Sequence, residues 1–273
     1  MQQTWQEYWA NHPTLTIEHT RTHDSYYRLL KQLINTPEKN PNIIEAGCGS
    51  GIRTLTLLDE FKELKPNAVL VDFSRTALAF ARENARQNKT EAQFVLADIL
   101  NLPFPSETYD LVWNEGVCEH FEQSNRYQTF EEMARICKTK GQVTVIVPNA
   151  LNLPYRIDKK FLEITEKWQY GFEKPFSIFE LSDKLVSANL HPNNKRGTAI
   201  LTSILKIAPK KTRVRQNTVD ATKATYHSSF KKAILKLDSI LEKTIGKLQG
   251  ENIGIQATKN GQKRTRPTER KQI

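Results

Sequence analysis

Apolar and polar positions follow two rhythms along the first half of this chain. Short apolar runs at 42–46 (N-I-I-E-A), 68–72 (A-V-L-V-D), 93–97, 109–114 (Y-D-L-V-W-N) and 141–148 (containing V-T-V-I-V) read as buried strands. Between them, apolar residues recur at spacings of three and four. Leu55, Leu58 and Phe61 do so within 51–65, Leu78, Ala81 and Ala85 within 77–88, and Phe130, Met133, Ala134 and Cys137 within 126–139. Those stretches predict helices, the second capped by Ser74, and the prolines of Leu102-Pro-Phe-Pro predict a loop. Strands alternating with helices of this length imply βαβ units and a parallel sheet.

After Pro148 the rhythm loosens. The segment 149–176 holds six aromatics (Tyr155, Phe161, Trp168, Tyr170, Phe172 and Phe176) and shows no clean period. A helix is expected over 177–189, a weak strand around 191–197, a long basic amphipathic helix over 225–248 and a last half-buried strand over 251–258. Residues 260–273 carry five basic side chains and almost nothing apolar, so they read as a disordered tail. The expected organisation is an N-terminal helical cap (1–40), a ligand-binding core (41–148), an acceptor-side insert with the last helices and strands of the same domain (149–259), and the basic tail (260–273).

Composition changes this picture in two places. Of 273 residues, 38% are hydrophobic and 26% charged, ordinary values for a folded protein, and no apolar run approaches the ~20 residues that span a bilayer. Met1–Glu7 is polar and does not read as a signal peptide. The net charge of +10 is lopsided: residues 206–273 hold 17 Lys/Arg against 5 Asp/Glu, whereas residues 1–205 hold 23 against 25. Such asymmetry fits either an anionic partner or a solvated end. Three widely spaced cysteines, Cys48, Cys118 and Cys137, form neither a zinc pattern nor a disulfide framework, so no metal site is expected and a reducing, cytoplasmic setting is.

The candidate chemistry begins at E-A-G-C-G-S-G, with Glu45, Gly47, Gly49 and Gly51, between the first strand and the first helix. Glycines here permit a tight turn and close approach of a ligand. A phosphate loop would need Gly-Lys-Ser/Thr, and a dinucleotide fingerprint would need glycine where Ile52 stands. What is left resembles the first motif of the class I S-adenosylmethionine-dependent methyltransferases, E/D-x-G-x-G-x-G. Further features follow in that family's order: Asp72 ending the second strand, Asp98 ending the third, Asp110 to Asn114 as the fourth, and Gly141 before the fifth.

The resemblance implies a Rossmann-like α/β fold, a mostly parallel seven-stranded sheet with helices on both faces and the last strand antiparallel. It implies S-adenosylmethionine as cofactor. Asp72 would accept the ribose hydroxyls, Asp98 the adenine amino group with Ile99 beside the ring, and Phe73 would flank the adenine. Glu45 with the backbone of Ala46, Gly47, Cys48, Gly49 and Gly51 would hold the methionine tail, and Asn114 would sit near the sulfonium. Each has a plainer alternative: Asp72 as a capping acid, Asp98 as a turn acid, Phe73 as core.

Methyl transfer needs alignment and, for a protonated acceptor, a base. Candidates lie in Asn114-Glu-Gly-Val-Cys-Glu-His120, namely His120 and Glu115, with Glu119, His12, His19 and His23 weaker. That segment lacks the Asn/Asp-Pro-Pro-Tyr usual for methylation of base amines, which favours an O, N or C atom of a small or lipid-like acceptor. Its pocket is expected from Trp5, Tyr8, Trp9, Tyr26 and Tyr27, the aromatic insert 149–176 and the segment 198–250 before the last strand. The rival reading is an RNA-binding protein or RNA methyltransferase using the basic C-terminal region. A nucleic-acid partner is less favoured because that region lacks interleaved aromatics.

Overall fold

A computed structural model of the chain describes residues 5–6, 8–9, 16–35, 39–198 and 251–261. The expected pocket segment from 199 to 250, with the expected helix at 225–248, and nearly all of the expected tail lie outside them. Helices α1 (Ile17–His23) and α2 (Ser25–Leu33) come first. They are followed by β1 (Asn42–Ala46), α3 (Ile52–Glu60), β2 (Asn67–Asp72), α4 (Arg75–Gln87), β3 (Gln93–Leu96) and β4 (Tyr109–Glu115). Then come α5 (Gln123–Ile136), β5 (Cys137–Pro148), α6 (Leu153–Ile164), α7 (Ile178–Ser187), β6 (Leu190–Thr198) and β7 (Asn252–Lys259).

The seven strands form one sheet in the order β3-β2-β1-β4-β5-β7-β6. Five run parallel through β5, and β7 inserts antiparallel between β5 and β6. This is the expected fold class. Alternating side chains divide the core by sheet face. Ile44, Val69, Val112 and Val145 meet Phe130, Met133, Leu181 and Leu185 of α5 and α7. Ile43, Leu70, Leu111 and Ile146 meet Leu30, Leu55 and Leu78 of α2, α3 and α4. Pro192, which cannot donate to a ladder, sits on the edge strand β6 beside a register shift.

Two elements depart from the sequence expectation. The helix expected to run to 139 ends at Ile136, and Cys137 already starts β5, paired with Tyr109. Cys137 continues the helical spacing, but its fully buried side chain and its ladder partner outweigh three more residues of helix. The insert contains α6, capped by Asn152, whose Oδ1 accepts from the Tyr155 amide at 2.7 Å. Leu153, Ile157, Phe161 and Ile164 of α6 recur at spacings of four, four and three, a helical rhythm within the insert, but all four are exposed. A second signal is the cap, Asn152, with proline following in the first turn.

Candidate functional site

In the parallel part of the sheet every strand ends at the same rim, and the glycine loop leaves β1 there. Gly47, Gly49 and Gly51 all have positive φ. At Gly49 (φ +51°) a Cβ would lie 2.3 Å from Trp9 Cζ2, and at Gly47 (φ +85°) one would lie 2.4 Å from Val117 Cγ2. The loop is thus both left-handed and overlaid by side chains, conditions only glycine meets. Its amides are used inside the protein: those of Gly47 and Cys48 donate to Val71 O at 2.8 Å, and that of Gly51 to Cys48 O at 2.8 Å. The Gly49 amide donates to Asp72 Oδ2 at 2.9 Å. These residues can therefore offer a ligand carbonyl oxygens and bare Cα faces. That narrows the expectation for the methionine tail: the carbonyls suit an ammonium, while the amides of Gly47 and Gly49 are not available to a carboxylate.

Asp72 ends β2, and its Oδ1 accepts from the Ser74 amide at 2.8 Å. Both oxygens thus take one backbone bond each, and a carboxylate has lone pairs for more. Burial pushes its pKa up, and the donors on Ser74, Gly49 and Phe73 pull it back. Ser74 in turn caps α4, accepting from the Ala77 amide at 3.2 Å. Asp98 is exposed after β3 and folds an Asx turn onto the Leu100 amide at 2.9 Å.

These residues surround a cleft at the rim of the sheet. Six of the eleven sequence candidates line it: Gly47, Gly49, Asp72, Phe73, Asp98 and Ile99. Glu45, Ala46, Cys48, Gly51 and Asn114 do not. Glu45 is 4% exposed beneath the loop, where its Oε2 accepts from Thr54 Oγ1 at 2.6 Å. Trp113 Nε1 donates to the same hydroxyl at 3.0 Å. Burial holds the Glu45 carboxyl well above the usual range. Asn114 is buried, accepts from Cys118 Sγ at 3.4 Å, and has no hydrogen-bond partner for its Nδ2.

A second, wider cavity adjoins the first. The two share Trp5, Trp9, Glu115, Gly116 and His120 as a common wall. Gly116 (φ +67°) turns the chain out of β4 into the short 3-10 helix Cys118–His120. His120 Nδ1 lies 2.7 Å from Phe172 O. A carbonyl only accepts, so Nδ1 carries the proton and Nε2 keeps its lone pair. Burial pushes the His120 pKa down to about 4, leaving a neutral imidazole at neutral pH. Burial pushes Glu115 up to about 7 against the pull of Arg53. Arg53 Nη1 lies 3.1 Å from Glu115 Oε2, an ion pair without hydrogen-bond geometry, while Arg53 Nε donates to Asp24 Oδ2 at 2.9 Å.

The insert is clamped onto this wall. Lys174 N donates to Glu119 O at 2.8 Å. The buried Arg126 guanidinium donates to Lys174 O and, at 3.2 Å, to Pro175 O, and lies 3.3 Å from the centre of the Phe176 ring. Of the aromatics expected in the acceptor pocket, Trp5, Tyr8, Trp9, Tyr26, Tyr155, Trp168 and Tyr170 do line the second cavity. Tyr27 and Phe176 are core, and Phe161 and Phe172 are exposed. His19 is exposed and lines neither cavity. His12 and the His23 side chain lie outside what the structure describes. Sequence reasoning did not single out Arg53 or Glu173. Arg53 had one available signal, an arginine in the first turn after the glycine loop, where a helix dipole disfavours a cation.

A family model described as a methyltransferase domain matches residues 43–141. An uncharacterized protein of Methanocaldococcus jannaschii is 32% identical over 66% of this chain and 68% of its own length. A protein of Mycobacterium tuberculosis named as a probable S-adenosylmethionine-dependent methyltransferase is 28% identical over 51% of this chain, which spans only 46% of that protein. Among solved structures, an S-adenosylmethionine-dependent methyltransferase of Archaeoglobus fulgidus superposes with a TM-score of 0.57 at 17% identity, covering 89% of this chain and 98% of that one. None of these three names states an acceptor.

Proposed function

The chain belongs to the class I S-adenosylmethionine-dependent methyltransferases, and on that premise we propose that it methylates an O, N or C atom of a small acceptor held in the second cavity. S-adenosylmethionine is the cofactor. The cleft fits it on its own chemistry: two carboxylates at neighbouring strand ends, an apolar wall from Phe73 and Ile99, and a glycine cradle that any Cβ would fill. Asp72 would hold the ribose hydroxyls, Asp98 the adenine amino group, and the loop carbonyls the ammonium of the tail. Glu45 and Asn114 would act from beneath, by fixing the loop and the end of β4. When bound, the cofactor supplies an electrophilic methyl group on a cationic sulfur, whose departure needs no acid.

The observation that carries the reading is the shared wall: a donor in the first cleft and an acceptor in the second would meet at Glu115, Gly116 and His120. Glu115 has the pKa suited to taking an acceptor proton near neutral pH. His120 offers its Nε2 lone pair to orient the acceptor. A lipid-like acceptor fits less well, because carboxylates interrupt the aromatic lining.

The test is incubation with methyl-labelled cofactor against fractionated cell extract, followed by mass spectrometry, with calorimetry for S-adenosylmethionine and NAD alongside. Binding of the cofactor and labelling of a small molecule are expected. NAD binding without a response to S-adenosylmethionine would remove the cofactor assignment. Label found only in RNA or protein would replace the small acceptor by a macromolecule and favour the basic region as its docking site.

A further inference from the structure

Among the described residues the lining of the second cavity is richer in acids than in bases, with Glu115, Glu119, Asp158 and Glu173 against Arg53. Arg53 is already engaged by Asp24 and Glu115. The nearby Lys159 ammonium is bonded to Glu163 and lies 4.5 Å from the centre of the Trp168 ring. Glu173 accepts from the Tyr155 hydroxyl. Glu119 is 1% exposed, and its Oε2 is buried with no hydrogen-bond partner. A buried carboxylate oxygen with no donor is costly and calls for an explanation. Burial first, and then the carboxylates of Glu173 and Glu115, push the Glu119 pKa up, so a positive charge beside it would be favoured.

Aromatic rings stand around these acids. Trp5 packs edge-on against Tyr8 with centroids 5.3 Å apart, Tyr8 lies 5.5 Å from Tyr170, and Tyr170 lies 5.0 Å from Trp168. Ring faces carry negative charge and attract cations, more strongly where water is excluded. Aromatic faces, a donorless buried carboxylate and crowded acids share one complement: a compact positive group bearing N–H donors. Resting on the methyltransferase reading, we propose that the acceptor is an amine, bound as its ammonium in the second cavity by Glu119, Glu173 and the ring cluster of Trp5, Tyr8, Trp168 and Tyr170.

The transfer balances. The ammonium gives one proton to the Glu115 carboxylate, the freed nitrogen pair forms the N–CH3 bond, and the pair of the breaking S–CH3 bond returns to sulfur. The products are S-adenosylhomocysteine, the N-methylated ammonium and protonated Glu115, so the total charge is unchanged.

The experiment is a binding panel in the presence of S-adenosylhomocysteine, read by calorimetry and tryptophan fluorescence at pH 7.5. Phenethylamine, hexylamine and phenethyltrimethylammonium are compared with 2-phenylethanol, hexanol and the corresponding carboxylates. The primary ammonium members should bind at least about tenfold more tightly than alcohols of equal size, the gain a desolvated cation–π cluster brings; phenethyltrimethylammonium, which has no N–H to give the acids, should bind more weakly than phenethylamine, and the carboxylates should not bind. Paired Glu119→Gln and Glu173→Gln substitutions should bring the ammonium-to-alcohol ratio below about threefold, as the ion pairs are lost. Neither residue lines the first cleft, so S-adenosylhomocysteine affinity should hold. Alcohols or carboxylates binding as well as ammoniums, or no ammonium binding while S-adenosylhomocysteine does, would overturn the proposal and leave the methyltransferase reading standing. Failure of S-adenosylhomocysteine itself to bind would instead strike that reading.

Discussion

The cleft at the glycine loop and the cavity behind it share a wall but are assembled in opposite ways. The cleft is made mostly at strand ends, from residues lying within a few positions of β1, β2, β3 and β4, with Trp5 and Trp9 added from the start of the chain. The cavity draws on Trp5, Tyr26, Glu119, Tyr155, Glu173 and Glu251, side chains brought together from the whole length of the chain. Backbone at a strand end is positioned by the sheet ladder and tolerates little change. Side chains on an insert are positioned by a few clamps, so they can vary without disturbing the sheet.

The sharpest way to break the comparison is Gly49→Val. A left-handed residue costs on the order of 1–2 kcal/mol and the clash with Trp9 adds to it, so cofactor affinity should fall more than about 30-fold in calorimetry. Ammonium binding in the second cavity should fall less than cofactor binding, since only the displaced Trp9 connects the loop to it. Equal losses at both sites would mean that the two are one unit. Arg126→Leu attacks the other side. It strips the donors from two carbonyls of the insert at a cost of about 2–3 kcal/mol in urea unfolding. The KM for the acceptor should rise while the cofactor Kd stays put; a Kd that moves with it would show that the insert also shapes the cleft.

Asp72 separates ligand binding from loop support. Asp72→Asn should weaken S-adenosylmethionine by about 1.5–3 kcal/mol, the usual worth of hydrogen bonds to a charged group. Asp72→Ala should weaken it as much and also lower the Tm by several degrees, because the Gly49 and Ser74 amides lose their acceptor. An alanine variant as stable as wild type would confine Asp72 to ligand contact.

The shared wall should show two opposite pH slopes. Glu115 has a folded pKa near 7, above its ordinary 4.5, so the folded state keeps a proton the unfolded chain has lost, and this group's contribution to stability falls as pH rises through that window. His120 has a folded pKa near 4, below its ordinary 6.5, so its contribution falls as pH drops from 6.5 towards 4. Relative to wild type, Glu115→Gln should therefore make the stability slope between these limits more positive. His120→Gln should make it more negative, each by up to about 1.4 kcal/mol per pH unit. Urea midpoints from pH 4.5 to 7 would read it, and slopes that shift the same way in both variants would contradict the assignment. The smallest effect is expected from removing residues 262–273, which hold almost no apolar side chain: cofactor affinity should change less than about twofold.

Much of this molecule is legible in the sequence where local rules act alone. The glycine pattern, the acids at 72 and 98, the Ser74 cap and the alternation of strand and helix each follow from backbone geometry within a few residues, and they locate the first cleft. The end of α5 and the start of β5 do not follow. Cys137 satisfies both periods, and only its pairing with Tyr109 decides between them. Helix α6 differs: Leu153, Ile157, Phe161 and Ile164 keep a helical spacing in the sequence, and only the structure shows that their stripe faces outward.

The sequence by itself determined the alternation that makes a parallel sheet and the glycine turn at its rim, and its motifs carried the resemblance that implied the cofactor. It also determined that an aromatic segment and several acids existed. Only the tertiary structure decided that Glu119 and Glu173 share one cavity with Trp5 and Tyr170, that Asp72 supports the loop as well as facing the cleft, and that Glu115 rather than His120 has the proton affinity suited to neutral pH. Those outcomes depend on distance and burial between side chains remote in the chain. Coulomb repulsion and desolvation act through space, and no local spacing encodes them.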